Sequence, residues 1–567
     1  MDNRAVADVL QEIGQILEIQ GENPFKVRAY YSAARALASL TEDVRSLVEQ
    51  KRLREIPGIG QALEEKITQL VTTGRLEAYE ELRRQVPAGV LEIMNIPSVG
   101  PKKARALWKE LGIASIEDLR KACQEGKLLN IKGFGEKTQK KILEGIDFAE
   151  RHRGQYLLSE ALPQARRLLG YVQSLKGVVR ASLAGSLRRW KEVVRDIDLL
   201  ASSDEPDRVM EGFLKAGGIS RVLARGETKT SVLLHTGLQV DFRVVRDDQF
   251  AFALVYFTGS KEHNVAVRQV AQRRGLKVNE YGIFDGDRLL PCKDEIEFYG
   301  RLGLPYIPPE LRENTGELDL KETPQLIGFK SLKGIFHTHS TWSDGAAEIE
   351  AMAEKARSMG FRYMGLSDHS QAAHYANGMD EKRLLKQLEE VDRLNRRWKD
   401  FRILKGLECD ILPNGDLDLT PEILDRLDFV IGSVHSRFDL PESEMTERVC
   451  KALRNERLDI LGHPTGRLLL SRQGYRIDLD RVLETARRHR KVIELNAHPH
   501  RLDLDWTHCR RAKERGVLLS INPDAHSVSE MENVEYGIGT ARRGWLEERD
   551  VLNTRDLDDV LEILRRD

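Results

Sequence analysis

Apolar positions recur every three or four residues at the start of the chain. Val6, Leu10, Ile13 and Leu17 mark one helix face, and the GENP turn at 21–24 leads into a second helix. Further on, strand-length apolar or alternating runs appear at 180–184, 197–202, 230–234 and 240–245, with a helix expected near 162–175. Residues 155–260 therefore read as interleaved helix and strand. From residue 334 a third pattern repeats: a short apolar run ends in a residue able to bind metal, and a helix follows. The runs are GIFHTH (334–339), YMGLSDH (363–369), ILKGLE (403–408), FVIGSVH (429–435), ILGH (460–463), VIELN (492–496) and LLSINPDAH (518–526). Seven such units predict a closed parallel barrel with its functional groups at the C-terminal ends of the strands. Between these regions LPYIPP (304–309) cannot be regular structure, and a boundary is expected between it and Gly334.

A short motif occurs three times in the helical region, as IPGIG (56–60), IPSVG (96–100) and, more weakly, IKGFG (131–135), each followed by a helical pattern. Glycines let backbones approach closely, and the N–H groups of the following helix start can take a phosphate oxygen without reading sequence. Gly58, Gly60, Gly100 and Lys102 are the candidate contacts; a Gly-rich turn that merely packs two helices is the alternative. Composition sharpens this. The 567 residues carry a formal net charge of −1 with 32% charged residues, so nucleic-acid affinity has to come from local patches. Residues 102–153 hold such a patch, with thirteen Lys/Arg against eight Asp/Glu.

The densest chemistry lies at GSLRRWKEVVRDIDLL (185–200). On a strand, Asp196 and Asp198 project from one face, and LQVDFRVV (238–245) puts Asp241 on another strand. Gathered carboxylates repel unless cations lie between them, and the set suits paired Mg²⁺ or Mn²⁺ holding a triphosphate. Alone, D-x-D is equally an ordinary strand end. With YFTGS (256–260), Asn264 and Arg268 in order behind it, the region resembles the family X nucleotidyltransferases, specifically the bacterial family X DNA polymerases that carry a second nuclease domain. The resemblance implies a palm in which Gly185, Ser186 and Arg189 hold the triphosphate. It makes Asp196 and Asp198 the ligands of both metals and gives Asp241 a part in deprotonating the primer 3′-OH. Tyr256, Phe257 and Gly259 would line the sugar, Asn264 would meet the nascent base pair, and Arg268 the template. Arg195 stands where the family often has glycine, and Lys261 where the animal repair enzyme carries an acid. In the first helical unit the resemblance implies a lyase-type domain. Lys66 falls at the Schiff-base position, with Lys26 and Tyr30 as 5′-phosphate and sugar contacts, although Ala62 replaces a second lysine.

Eleven of the fourteen histidines follow residue 330. HTH…D with the later strand-end residues resembles the polymerase-and-histidinol-phosphatase (PHP) superfamily. That implies three metal sites: His337, His339, Glu408 and Asp524 in the first; Glu408 bridging to a second with His435 and His463; and Asp344, His369 and His526 in the third. Imidazole and carboxylate without thiolate suits Mn²⁺ or Zn²⁺. Arg437, Arg467 and Arg501, just past strand ends, could grip phosphate or simply be solvated. Among the remaining histidines, His498 lies nearest a strand end.

The expected fold is multidomain α/β. It comprises a helical lyase-like domain (1–85), a helix-hairpin-helix subdomain (86–153), a mixed-sheet palm (154–255), a thumb-like segment (256–315), a linker (316–333) and a (β/α)7 PHP barrel (334–567). The implied protein is a DNA-repair enzyme that fills gaps from dNTPs on gapped or nicked DNA and trims 3′ ends by metal-dependent hydrolysis. AP-endonuclease, 3′-phosphatase or lyase activity is a further option. The alternative is a DNA-end-binding scaffold whose palm is weak and whose barrel is the main activity. Five cysteines without a C-x-x-C pair, no apolar run of membrane length and a start unlike a signal peptide lead to the expectation of a cytoplasmic monomer.

Overall fold

The computed structural model describes residues 1, 3–38, 43–56, 58–94, 96–97 and 99–564; Pro57 and Ser98, in two of the glycine-rich motifs, lie outside these. The chain divides into two compact units, Met1–Arg153 with Ser527–Glu530, and Gly154–His526 with Met531–Asp567.

The first unit is helical. Its opening helix, Asn3–Gln20, serves two cores: Val6, Leu10 and Ile13 enter one, and Ile16 and Ile19 enter the other. The three glycine-rich motifs share one backbone geometry. Gly60, Gly100 and Gly135 precede the helices Gln61–Thr73, Pro101–Leu111 and Glu136–Arg151 with φ of −87°, −91° and −91°. Gly58 and Gly133 occupy the left-handed region at φ 87° and 91°, which a side chain would strain. None of the three helix starts is capped by a side chain, so the N–H groups of their first turns have no side-chain acceptor from the cap position. The third copy is thus a full member of the set, although lysine replaces its proline.

In the second unit a five-stranded sheet runs Arg180–Leu183, Asp196–Ser202, Gln239–Val245, Lys229–Leu234, Ile219–Arg225. Its second and third strands are parallel and the other pairs antiparallel. Helix Leu158–Ser174 covers one face, burying Leu162, Leu168 and Val172 against Ile197, Val240 and Phe242. The edge strand Ile219–Arg225 is not signalled by sequence alternation, because it is exposed along almost its whole length. Helices Phe250–Thr258 and Lys261–Arg273 follow, then a three-stranded antiparallel sheet of Leu276–Asn279, Gly282–Asp285 and Arg288–Leu290, and helix Glu295–Arg301.

Glu295 ties this region to the sheet. It takes bonds of 2.7 and 2.8 Å from Arg188 and 2.8 Å from Arg312, whose side chain is wholly buried. Burial works to raise the Glu295 carboxyl, but Arg312 and Arg188 outweigh it and hold it at about 2.

Seven parallel strands form the barrel in sequence order, from Gly334–Thr338 to Leu519–Asn522. A bridge between Thr338 and Ala525 and a 2.8 Å bond from His339 N–H to the Ala525 carbonyl join first to last. Phe336, Tyr363 and Phe429 fill the core.

Barrel and sheet meet along helix Val534–Arg543. A Cβ on Gly539 would lie 2.3 Å from the Trp190 ring, so only glycine admits that indole. Arg543 donates to the Arg189 carbonyl at 2.9 Å and lies 3.2 Å from Glu313; Arg467 reaches Glu192 at 2.8 Å, and Arg166 pairs with Glu535.

Because the Glu295 carboxyl is held below its ordinary value of 4.5, its contribution is full above that value and disappears as pH falls toward about 2. Glu295→Gln is expected to cost about 3 kcal/mol at pH 7 and to flatten the acid-unfolding curve between these limits. Parallel acid titrations of both proteins by circular dichroism check this.

Candidate active sites

The first site forms where the parallel strand pair begins. Asp198 lies opposite Asp241 in register, with Asp196 two residues before it on the same face. The three carboxyls differ in environment. Burial, then Asp196 and Asp241, push Asp198 up to about 7. Burial and Asp241 also raise Asp196, with Lys229 and the exposed Arg195 pulling the other way. Asp241 falls below the usual range: burial would raise it, but bonds from Lys229, Ser231 and Gln239 dominate. Lys229 Nζ lies 2.5 Å from its Oδ2 and Gln239 donates to its Oδ1 at 3.0 Å. Lys229 is not evident in the sequence, since it opens a strand that meets that of Asp241 only through sheet register.

Gly185 adopts φ 61°, and a Cβ there would stand 1.9 Å from Asp198 Oδ2. A side chain would displace the carboxylate. Gly185, Ser186, Arg189, Asp196, Asp198, Tyr256, Phe257, Gly259, Asn264 and Arg268 all line one open cleft of 360 Å³. The structure thus gathers the sequence-derived nucleotide set, and Lys261 joins it. Arg189 enters the cleft tethered: Nε bonds Glu313 at 3.0 Å and Nη1 bonds the Thr258 carbonyl. Asn264 donates to the Tyr256 carbonyl at 2.7 Å.

The second site fills the C-terminal mouth of the barrel. Glu408, fully buried, is its hub. Oε1 lies 2.9 Å from His463 and 3.3 Å from both His337 and His435; Oε2 lies 2.9 Å from His369 and 3.7 Å from His339. Asp524 Oδ1 is 3.5 Å from His337 and 3.3 Å from His339. Asp344 approaches His369 at 3.7 Å and His526 at 3.5 Å. All nine sequence-derived residues converge, in four overlapping ligand groups: His339, Asp344, His369 and His526; His337, Glu408 and His463; His337, His339 and Asp524; His369, Glu408 and His435. His463 thus groups with His337 and His435 with His369, while His339 reaches into the Asp344 group. His337, His463 and Asp524 hold left-handed backbone at φ 54°, 23° and 52°, strain of a kind that concentrates at working sites.

These donors fit divalent metal ions. His337 Nε2, both ring nitrogens of His339, His369 Nδ1 and His463 Nδ1 are buried and make no hydrogen bond. Burial opposes charge on Glu408 and Asp524, yet both are held far below the usual carboxylate range, with His337 the foremost positive neighbour. The cluster therefore calls for positive charge at its centre.

An outer layer missed in the sequence orients the ligands. Glu494 accepts from His337 Nδ1 at 2.6 Å and from the His463 N–H at 2.7 Å. Asn496 donates to Asp524 at 2.9 Å, and Asp410 lies 3.3 Å from His435 Nδ1. Asp368 gathers Ser340, Ser343 and Gln387 beneath His369. The available signal was position: Glu494 and Asn496 sit in a strand-end run, and Asp410 follows Glu408 by the two residues that return it to the same face. Arg467 is committed to Glu192 and to backbone carbonyls, and Arg501 stands 3.4 Å from Asp524. Arg437 is exposed. Cys409 turns its thiol to the Asp410 carbonyl and joins no ligand group. His498 donates its N–H to Asn496 and stays outside those groups too.

In the helical unit Lys66 is half-buried, its Nζ 3.3 Å from the Ala62 carbonyl. Lys26 is exposed and pairs with Glu22, Tyr30 is in the core at 7% exposure, and Lys102 is exposed.

A two-carboxylate strand end facing a glycine turn, joined to a histidine-rich seven-stranded barrel, defines a two-centre enzyme built for phosphate chemistry. Family models match in four places: a helix-hairpin-helix domain at 1–76, a SAM-like helix-hairpin-helix tandem at 90–147, a DNA polymerase beta thumb at 253–313 and a PHP domain at 336–498. The chain is 41% identical over 571 residues, the whole of both chains, to the DNA polymerase/3′-5′ exonuclease PolX of Bacillus subtilis. It is 24% identical over 344 residues to rat DNA polymerase lambda, covering 55% of this chain and 56% of that one. A probable phosphatase of Thermoanaerobacter is 30% identical over 244 residues, 40% of this chain and 93% of its own. The chain belongs to the bacterial PolX family of DNA polymerases with a C-terminal PHP domain.

Titrating Mn²⁺ or Zn²⁺ into chelator-treated protein is expected to raise its melting temperature, since a ligand bound only by the folded state stabilises it. His339→Ala, which removes a donor shared by two groups, should cut that rise; an undiminished rise would separate His339 from the metal.

Proposed function

We propose that this chain is a template-directed, gap-filling DNA polymerase joined to a metal-dependent 3′-5′ exonuclease that acts on DNA ends. The supporting observation is the convergence of two separate acidic centres, each beside phosphate-suited groups: Asp196, Asp198 and Asp241 under the Gly185 turn, and nine ligands around Glu408. The boundaries expected from sequence, at 85, 153, 255, 315 and 333, are kept as the proposed division of labour.

At the palm, Gly185 and Ser186 would admit the triphosphate against the backbone, with Arg189 offering charge from a fixed position. Tyr256 and Phe257 would flank the sugar. Asp241, its carboxylate ionised by Lys229, would accept the primer 3′-OH proton. Mg²⁺ or Mn²⁺ held by Asp196 and Asp198 would neutralise charge on the attacking and leaving oxygens. At the barrel, the nine ligands would hold up to three Mn²⁺ or Zn²⁺ ions, while Glu494 and Asp410 fix the rings of His337 and His435. Gly60, Gly100 and the basic segment after Lys102 would hold the DNA backbone without reading its sequence. The same reading places the protein in DNA repair within the cytoplasm, acting as a monomer on gapped or nicked DNA with dNTPs.

On a gapped duplex with dNTPs and Mn²⁺, Asp196→Ala is expected to lower extension at least about 100-fold and leave 3′ degradation, and His339→Ala to do the reverse. Both variants retaining both activities would sink the assignment.

Lyase chemistry at Lys66 is the secondary reading, favoured by its position on the helix that follows the first glycine motif. Borohydride should trap an adduct on a 5′-deoxyribose-phosphate end, and Lys66→Ala should abolish it. No adduct, or one that persists in the variant, removes the reading.

A further inference from the structure

Tyr375 stands out at the mouth of the barrel. At 71% exposure it is the most exposed aromatic side chain of the barrel among the described residues. Its ring centroid lies 6.2 Å from that of His369 and 6.1 Å from that of His435, so it borders two ligands of the metal-type cluster. An apolar ring left in water gains nothing for the fold.

The loop that carries it is nevertheless fixed. Ala373 and Ala376, on either side, are buried. Asn377 donates to the Ser343 carbonyl at 3.1 Å, and Arg383 donates to the carbonyls of Asn377 and Gly378 at 2.9 and 3.1 Å. Met379 N–H bonds the His369 carbonyl at 2.8 Å. A Cβ on Gly378 would meet the Ser370 carbonyl at 2.0 Å, so the chain comes as close there as a glycine permits. The backbone is anchored to the ligand strands while the ring faces solvent, which is how a rigid platform is presented. Arg437, two residues past His435, adds an exposed cation.

We propose that Tyr375 is a stacking platform for the 3′-terminal nucleobase of a DNA strand, setting the last phosphodiester over the Glu408 cluster. An aromatic face accepts any base, gives affinity without sequence preference, and lets a nuclease act on ends of all four kinds. Tyr375 is then a positioning residue that selects nucleotides over small phosphate esters. This rests on the reading of the barrel as a phosphodiesterase.

The test compares oligonucleotides ending in 3′-adenosine or in an abasic tetrahydrofuran, degraded in Mn²⁺ by wild type, Tyr375→Ala and Tyr375→Phe. Wild type should show a KM about 10- to 100-fold lower for the adenosine end. Tyr375→Ala should erase that difference by raising KM for adenosine alone, with kcat on the abasic end unchanged, and Tyr375→Phe should match wild type. The inference is overturned if wild type does not distinguish the two ends, if Tyr375→Ala slows both alike, or if Tyr375→Phe falls as far as Tyr375→Ala. A wild type that degrades neither oligonucleotide overturns the phosphodiesterase reading itself, and this inference with it.

Discussion

Negative charge held out of water is the constraint under which both centres are built. A carboxylate loses hydration on burial, and two together also repel, so each centre spends neighbouring groups on keeping its acids usable. The palm does so unevenly. Asp241 has Lys229 and two further hydrogen-bonding partners and is held low, whereas Asp198 lies deeper, where burial and its two acidic neighbours outweigh Arg243 and Lys229. The two acids of one register pair are thus held in unlike electrostatic surroundings. The barrel answers the same problem with imidazoles, six of them around Glu408, Asp344 and Asp524.

The second unit is stiffened by arginines in the service of geometry. Arg188 and Arg312 clamp Glu295, Arg189 is fixed by Glu313 and Thr258, and Arg543 ties that same Glu313 to the barrel. Such buried pairs add little net stability, because desolvation offsets their attraction. They do fix where a planar, directional side chain points. The segment after Gly185 is held from three sides, by the sheet, by helix Glu295–Arg301 and by helix Val534–Arg543.

How legible this was depended on whether a residue's role is local. Eight of the nine ligands fall within or at the ends of apolar runs, so a strand-length pattern reveals them, while Asp344, in the loop after the first strand, is reached only through the family resemblance; a glycine-bounded D-x-D serves the palm. Lys229 acts across strands, and register does not show in one sequence; Gln239 and Asp410 share strands with Asp241 and Glu408 and offer only their two-residue spacing. Strand Ile219–Arg225 and the small sheet from Leu276 to Leu290 escaped notice because little of either is buried, leaving no alternation to read. The third glycine motif looked degenerate in letters. In space it matches the others, because the backbone angles of Gly133 and Gly135 carry the turn. Tyr375 gave no signal at all, since one aromatic in a polar loop has no period.

The contact of Trp190 with Gly539 has a bearing on how such proteins can be recombined. A barrel without a palm has no indole at this place, so the close approach would not by itself require glycine there. Grafted onto this palm, a barrel with a larger residue there would meet Trp190 at less than van der Waals distance and lever the turn that follows Gly185. The two halves are therefore not freely interchangeable: the hydrogen atom at Gly539, where other residues carry a methyl group or more, is one condition on which barrel fits this palm.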